Sequence, residues 1–497
     1  MTFQPTETKT DSSSFSSAPT AVQSTSSTNE SSPYQLAFAQ IVSAIGQEVG
    51  KQTNTHFTVS LIGEDSQFTR FSQAKVRQTG HVRDGRIKLT LMSSFNNTDA
   101  HTVTMSLPFT GDFAIDWAVA QPAIAQLQQE LPQLPIDPYV VLPTAAEGNQ
   151  KENNLVHRVK TNHLLAESEV ATALLAPISS TSNGTSKSPD FSGLYAGGRA
   201  YRAYADSAGK HHWFETPSFT LDYSLFGSSK QQAVKGTLAG DRWDEQQYVQ
   251  NIAAAKQELE LLARPVKAVP KGSYRTYLAP AAVADIIDTI IWGGGLGEAS
   301  LRQGNSAFSK LEKGEARLSE RFSLQEDFER ISIPRFNGGG AIAPNKLPLI
   351  ERGQWANSLV SGRSEKEYGK PSNGANEEEI MRAPAVAPGT LKATDILAEL
   401  GTGLYLSNLH YLNWSDLTAG RITGMTRYAC FWVEDGEIVA PIENLRFDDD
   451  LYRFLGEGLI GLTDEQTFVP EVGTYDNRSL GGMWMPGMLI DQFRYTL

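Results

Sequence analysis

Eight histidines and a single cysteine are the side chains of this chain best suited to hold a metal or attack a carbonyl. The histidines stand at 56, 81, 101, 157, 163, 211, 212 and 410, and none belongs to an H-E-x-x-H pair that would set two imidazoles on one helix face. His211 and His212 are neighbours in a strand-like stretch, so they point to opposite faces, and Glu215 follows His212 at the wrong parity to join it. Cys430 lies among Tyr428, Ala429, Phe431 and Trp432, the setting of a small buried hydrophobe rather than of an activated thiolate. A lone cysteine also excludes an intramolecular disulfide and a cysteine-rich zinc site. No G-x-S-x-G occurs, and the glycines at 293–295 and 338–340 match neither a P-loop nor a dinucleotide fingerprint. They read as a helix end and tight turns.

The elements that carry these residues belong to an α+β protein. Residues 1–33 are almost all small and polar, with too little apolar area to offset the entropy of ordering, and read as a disordered tail. Residues 34–265 form a mixed α+β N-terminal domain with a break near 145–190, and 270–497 a β-rich C-terminal domain with long loops. In the first domain the alternation of "HFTVSLIGED", "QFTRFSQAKVRQTGHV" and "GRIKLTLMSSF" predicts strands, with a hairpin turn at Asp84-Gly85-Arg86. "AIDWAVAQPAIAQLQQELPQLP" predicts a helix broken by its prolines. Asp244 is placed to cap the helix that follows it. In the second domain, "APAAVADIIDTIIWGGG" (279–295) predicts an apolar helix ending in glycine, and "RYACFWVEDGEIVAPIENLRF" a hairpin turning at Asp435-Gly436.

Forty per cent hydrophobic and 20% charged residues describe an ordinary globular protein. The net charge of −13 argues against direct nucleic-acid binding, which needs clustered Lys and Arg. No apolar run approaches the ~20 residues that cross a bilayer, and no secretory signal is evident, so a cytoplasmic location and no membrane association are expected.

The stretch "LGTGLYLSNLHYLNWSDLTAGRITGMTRYACFWVEDGEIVAPIENLRFDDDLYRFLGEGLIGLTDE" resembles the TldD/PmbA family, metalloprotease-related proteins also called modulators of gyrase. The resemblance rests on Gly403, Leu404 and Tyr405 opening a strand, on the block "TAGRITGMTRYACFWVEDGEI", on "PIENL" and on a segment ending at Asp464. Upstream, "PLIERGQWANSLVSGRSEKEYGKPSNGAN" and "FTRFSQAKVRQTG" resemble further parts of the family pattern.

The resemblance implies a zinc helix with H-E-x-x-x-H at 280–293 and a cysteine ligand near the C-terminus. This chain departs from both. Asp288, Thr289 and Gly293 fall where the first histidine, the glutamate and the second histidine would stand, and the C-terminal "VGTYDNRSLGGMWMPGM" has no cysteine. A shifted alignment supplies no substitute, because no histidine lies between 213 and 409. The departure resembles the TldE/PmbA branch. It implies a subunit with no metal or cofactor of its own, paired with a zinc-bearing TldD-like partner in a heterodimer, or with itself in a homodimer, and handling unfolded peptide. The substrate-contacting residues expected from this are Trp292, Asp288, Tyr428 and Trp432, with a sheet edge near "RYACFWVEDGEI" open to strand addition. Trp292 also suits core packing, and Asp288 a solvated helix face. The alternatives are a stand-alone peptidase with an unrecognised site, and a regulatory or binding protein without proteolytic activity.

Overall fold

The computed structural model describes residues 31–95, 99–144, 154–179, 189–227 and 232–496. The tail expected at 1–33 lies outside these residues up to 30, and so do parts of the break expected near 145–190 (145–153 and 180–188). Helices and sheets are mixed in an α+β architecture, and the strands form two sheets.

The first sheet has eight strands: β1 (Thr55–Ser72), β2 (Lys75–Ser94), β3 (Ala100–Pro108), β4 (Ile136–Asp137), β5 (Val156–Arg158), β6 (Asp190–Asp206), β7 (His211–Phe226) and β8 (Ala233–Gly240). Its order is β4-β3-β2-β1-β6-β7-β5, with β8 also on β7. Four helices cover one face: α1 (Pro33–Val49), α2 (Phe113–Glu130), α3 (Glu167–Ser179) and α4 (Glu245–Leu262). Ser32 accepts from the Gln35 N–H to start α1, Asp112 caps α2, and Asp244 accepts from the Gln247 N–H to start α4. Under α1 and α2, Phe38, Ile41, Ile45, Ile124 and Leu127 meet Leu61, Leu89 and Trp213. Under α3 and α4, Val170, Leu174, Tyr248 and Ile252 meet Phe191, Tyr195, Phe219 and Tyr223. Burying each large side chain contributes ~1.5–3 kcal/mol.

Two expectations fail here. Asp84-Gly85-Arg86 makes no turn. It lies inside β2, and Gly85 pairs with Gly63. The hairpin turns instead at Gln73 and Ala74, with φ of +55° and +51°. Gly85 is needed for close approach, because a Cβ there would stand 2.4 Å from the Phe109 carbonyl oxygen and 2.7 Å from the Tyr34 hydroxyl. The helix at 113–130 is not broken, since Pro122 sits inside α2.

The opposite face of the first sheet is polar. Side-chain parity places Glu64, Ser66, Arg202, Thr216, Ser218 and Thr220 on it. This face is turned toward the C-terminal half, and Glu64, Ser66, Thr216 and Thr220 are buried.

The second sheet has eleven strands: β9 (Gly272–Leu278), β10 (Leu324–Asp327), β11 (Lys346–Glu351), β12 (Gln354–Trp355), β13 (Pro384–Val386), β14 (Gly403–Asp416), β15 (Arg421–Glu434), β16 (Glu437–Pro441), β17 (Arg446–Asp450), β18 (Leu459–Pro470) and β19 (Gly482–Tyr495). Five of them close on themselves, because β9-β14-β15-β17-β19 returns to β9 through the antiparallel β19–β9 pair. Helix α5 (Pro280–Gly293) packs against β14 and β19. The hairpin predicted at Asp435-Gly436 is present, both residues at positive φ.

The long loops are held by buried polar side chains. Asn337 accepts from the Gly339 and Ala341 N–H groups and donates to the carbonyls of Gly374 and Ala375, which ties the "NGGG" turn to the "SNGAN" loop. Glu379 accepts from the N–H groups of Ala299 and Ser361, both at 2.8 Å. The "NGGG" turn also reaches the first sheet. His212 accepts the Leu155 N–H at Nδ1, which leaves Nε2 to donate to the Gly340 carbonyl at 3.2 Å.

Candidate functional site

Helix α5 is the element on which the sequence places its chemistry. Pro280 opens it at a position that needs no N–H donor. Ala282, Val283, Ile286, Ile287 and Ile290 bury one face. Asp285, Asp288, Thr289 and Trp292 fall at i, i+3, i+4 and i+7, and share the other. The three terminal glycines have separate causes. Gly293 lies against Trp414, and a Cβ would stand 2.8 Å from the indole Nε1. Gly294 caps the helix, its N–H donating to the Ile290 carbonyl. Gly295 turns the chain at φ +71°.

The acids on this stripe are electrostatically unusual. Burial pushes the Asp285 carboxyl up to about 7, the Leu409 N–H donated to it at 2.8 Å opposes that, and the charge of Asp288 adds to it. Burial, then the nearby Glu471, pushes Asp288 up to about 6. The Thr289 hydroxyl donates to the Asp285 carbonyl at 2.9 Å and is therefore committed to its own helix. Trp292 is 80% exposed, so it does not pack in the core.

The structure does not gather the four expected contact residues. Asp285 meets β14 at Leu409, and Gly293 meets it at Trp414. Trp432 pairs with Leu404, near the other end of β14. Five residues of strand separate Leu404 from Leu409, ~17 Å at about 3.3 Å each. Trp432 is engaged there already: its Nε1 donates to Glu434, Tyr274 packs edge-on at 5.7 Å, and the Lys267 ammonium lies 4.6 Å over the ring. Tyr428 occupies a bulge at φ +64°, where the β14–β15 register slips, with the Arg427 guanidinium 5.0 Å over its ring. The sheet edge expected at "RYACFWVEDGEI" is closed. β14 flanks β15 on one side and β16 and β17 on the other, and Thr426 donates to Leu445 between them. Cys430 is buried, and burial pushes its thiol up to about 11.

One part of the site carried no signal in sequence. The loop 471–481 brings Glu471 toward Asp288 and inserts Arg478 into the polar face of the first sheet. The Arg478 N–H donates to Glu64 at 2.9 Å, and its guanidinium donates to Ser218 at 2.7 Å, Ser66 at 3.3 Å and the Gly198 carbonyl at 3.4 Å. Gly198 lets β6 pass close to β1 there, since a Cβ would stand 2.1 Å from the Asp65 carbonyl oxygen. Arg202 donates to the Arg478 carbonyl from the same face. Burial, and then Arg478, pushes the Arg202 guanidinium down to about 10.

Residues 271–496 match the family model for the PmbA/TldA metallopeptidase C-terminal domain. Residues 271–496 are thus a domain of the PmbA/TldA kind. Solved structures share its fold. A Thermotoga maritima protein assigned as a modulator of a DNA gyrase aligns at 12% identity over 92% of this chain and 100% of its own, with a TM-score of 0.71. TldE from Thermococcus kodakarensis aligns at 14% identity over 93% and 100%, also at 0.71. A Bacteroides thetaiotaomicron protein, assigned likewise as a modulator of DNA gyrase, aligns at 13% identity over 93% and 98%, at 0.68. No curated protein matches by sequence.

The residues of this chain do not fit the zinc ion of an H-E-x-x-x-H helix. Of the three positions, Asp288 alone carries a ligand group. Thr289 is bonded to its own helix, and a side chain at 293 would collide with Trp414. Among the described residues no group of three or more His, Cys, Asp or Glu is close enough to hold a metal ion. No helix among them is long and apolar enough to cross a membrane.

Proposed function

We propose that this chain is the TldE-like, metal-free subunit of a TldD/TldE-type metallopeptidase that processes unfolded peptides in the cytoplasm. A zinc-bearing relative supplies the hydrolytic centre in that assembly. This chain supplies walls, and the exposed Trp292 beside Asp288 contributes to peptide or partner contact. The observation that carries the reading is the packing of Gly293 against Trp414 on a helix whose other two motif positions are Asp288, at the first histidine, and Thr289, at the general-base glutamate. A catalytic zinc needs three protein ligands and an open position for water, and this helix offers a single carboxylate.

The test is elemental analysis of the purified chain, joined to peptide hydrolysis with and without a TldD-type subunit that carries H-E-x-x-x-H. The expected result is far less than one zinc per chain, no hydrolysis by the chain alone, and chelator-sensitive hydrolysis by the mixture. One tightly held zinc per chain, or chelator-sensitive hydrolysis by the chain alone, would refute the reading.

A further inference from the structure

The His212 ring joins three segments that are far apart in sequence. It stands on β7, 2% exposed, directly opposite Tyr204 of β6 on the face turned toward the C-terminal half. Its Nδ1 accepts from the Leu155 N–H at 3.2 Å, at the entry to β5. Its Nε2 donates to the Gly340 carbonyl at 3.2 Å, in the "NGGG" turn. Phe336 stacks on the ring at 5.1 Å and Tyr204 at 6.0 Å. Leu155, Ile342 and Leu480 pack against the cluster of Tyr204, Phe214 and Phe336.

This arrangement admits one protonation state. The Leu155 N–H needs an acceptor at Nδ1 and the Gly340 carbonyl needs a donor at Nε2, so the ring is neutral. A second proton goes to Nδ1, the ring's one basic nitrogen, and turns it into a donor facing another donor. The bond to Gly340 survives that change and the bond to Leu155 does not. The two ends of β5 are held differently. At the Leu155 end the main chain has only the His212 bond and the Trp213 N–H donated to the Leu155 carbonyl at 2.9 Å. At the other end the Val159 N–H donates to the Glu215 carbonyl at 3.0 Å, Arg158 pairs with Glu215, and Arg199 donates to the Val159 carbonyl. Loss of the His212 bond therefore frees the first end while the second stays anchored.

The charged groups around the ring give a protonated imidazole little support. Asp206 is the nearby acid, and it is committed to the Tyr204 hydroxyl and to the Ala208 and Lys210 N–H groups. Lys210 and His211 lie on the same hairpin. The turn 336–342 carries no titratable side chain, and Arg335 and Arg382 flank it, bonded to the carbonyls of Ala343, Arg335 and Phe336. On β5, His157 stacks on Phe214 at 4.9 Å. Glu215, with Arg158 and Arg199, lies on the opposite face of β7. Burial holds His212 below its ordinary value, Gly340 and Asp206 oppose that, and Lys210 and His211 add to it. The closed form thus holds fewer protons than the released form. Closure is complete above the ordinary histidine value and is lost as pH falls below it.

We infer that His212 is an acid-sensitive latch, whose protonation at Nδ1 releases the Leu155 end of β5 from the joint between the N-terminal sheet and the loops of the C-terminal half. The inference is independent of the zinc question. The test reads amide hydrogen exchange of the full chain from about pH 8 to about pH 5, corrected for the pH dependence of free amides. The Leu155 and Trp213 N–H groups should lose protection by about tenfold per pH unit below ~6.5. Val159, and Leu61 and Leu89 deeper in the same sheet, should keep theirs. His212→Asn retains an acceptor near the Nδ1 position and takes no proton, so its Leu155 should show no loss in acid. His157→Phe keeps the stack on Phe214 and should leave the loss in place. A flat response at Leu155 in the unaltered chain would overturn the inference without any variant having to fold. So would a loss that persists in His212→Asn, because the proton then sits elsewhere. A loss that spreads to Leu61 and Leu89 would also overturn it, as general unfolding rather than release of one strand end.

Discussion

Gly293 and Trp414 are packed so closely that a single methyl group on the glycine would stand 2.8 Å from the indole nitrogen. The contact closes one of the two histidine positions of the family's zinc helix by shape as well as by residue type. It gives a stability test with opposed terms. Alanine at a helical position gains ~0.5–1 kcal/mol over glycine, while overpacking costs ~1–3 kcal/mol. We expect Gly293→Ala to be destabilising by roughly 1 kcal/mol in urea unfolding, and Trp414→Leu in the same chain to recover part of it. A stabilised Gly293→Ala would mean that the indole moves freely.

Restoring the motif by Asp288→His, Thr289→Glu and Gly293→His should leave zinc well below one per chain, measured by elemental analysis after dialysis. Full loading of the triple variant would show that the obstruction yields and that ligand identity alone had been lost.

The pH dependence follows from Asp285 and Asp288, at about 7 and about 6 in the folded chain, against ~3.9 for an unfolded aspartate. The folded state therefore holds more protons across this window. The stability these groups contribute is complete below the unfolded value and is lost as pH rises through 6 to 7. Glu258, pushed up to about 7 by burial in α4, acts in the same sense. Thermal midpoints should rise as pH falls from 8 toward 5, and the slope should shrink in Asp285→Asn and Asp288→Asn. An unchanged slope in both variants would place the protons elsewhere.

Arg478 is buried among Glu64, Ser66 and Ser218. Removing one partner of a buried ion pair leaves the other charge unpaired, at ~3–5 kcal/mol. Arg478→Met should show a loss of that order by denaturant unfolding, together with faster proteolysis within 471–481. The double variant Glu64→Leu/Arg478→Met should recover much of the stability. A loss under ~1 kcal/mol for the single change would show that water reaches the site.

Trp292 stands at the other extreme. It is 80% exposed, so Trp292→Ala should change stability by less than ~0.5 kcal/mol while lowering peptide hydrolysis by the assembly with a zinc-bearing partner. Equal hydrolysis by both forms would remove the residue from the contact surface.

What the sequence disclosed and what it hid divide on physical grounds. The dipeptide Asp435-Gly436 turns a hairpin as its chemistry predicts, whereas Asp84-Gly85 runs straight through a strand. The difference is made by Tyr34 and Phe109, which crowd Gly85 from distant parts of the chain. Local rules carry a turn until a long-range contact claims the same glycine. The apolar period of α5 located its buried face, yet Trp292, which also suits core packing, is exposed, because it continues the stripe of Asp285, Asp288 and Thr289 on the other face. Cys430 could be placed, since a lone cysteine in an apolar strand has few other fates. Arg478 could not, because a polar loop gives no sign that one of its arginines is destined for the interior of another sheet.

That arginine also has a schedule. Glu64 and Arg202 are synthesised early, and their partner follows Glu64 by 414 positions. At ~5–20 residues per second, Glu64 waits roughly 20–80 s for it. Through that interval the stretch of the N-terminal sheet around Glu64 and Arg202 lacks the arginine that closes it. The nascent half is thus unfinished by construction, and a ribosome stalled before residue 478 would hold a sheet that is paired in its strands but not yet sealed.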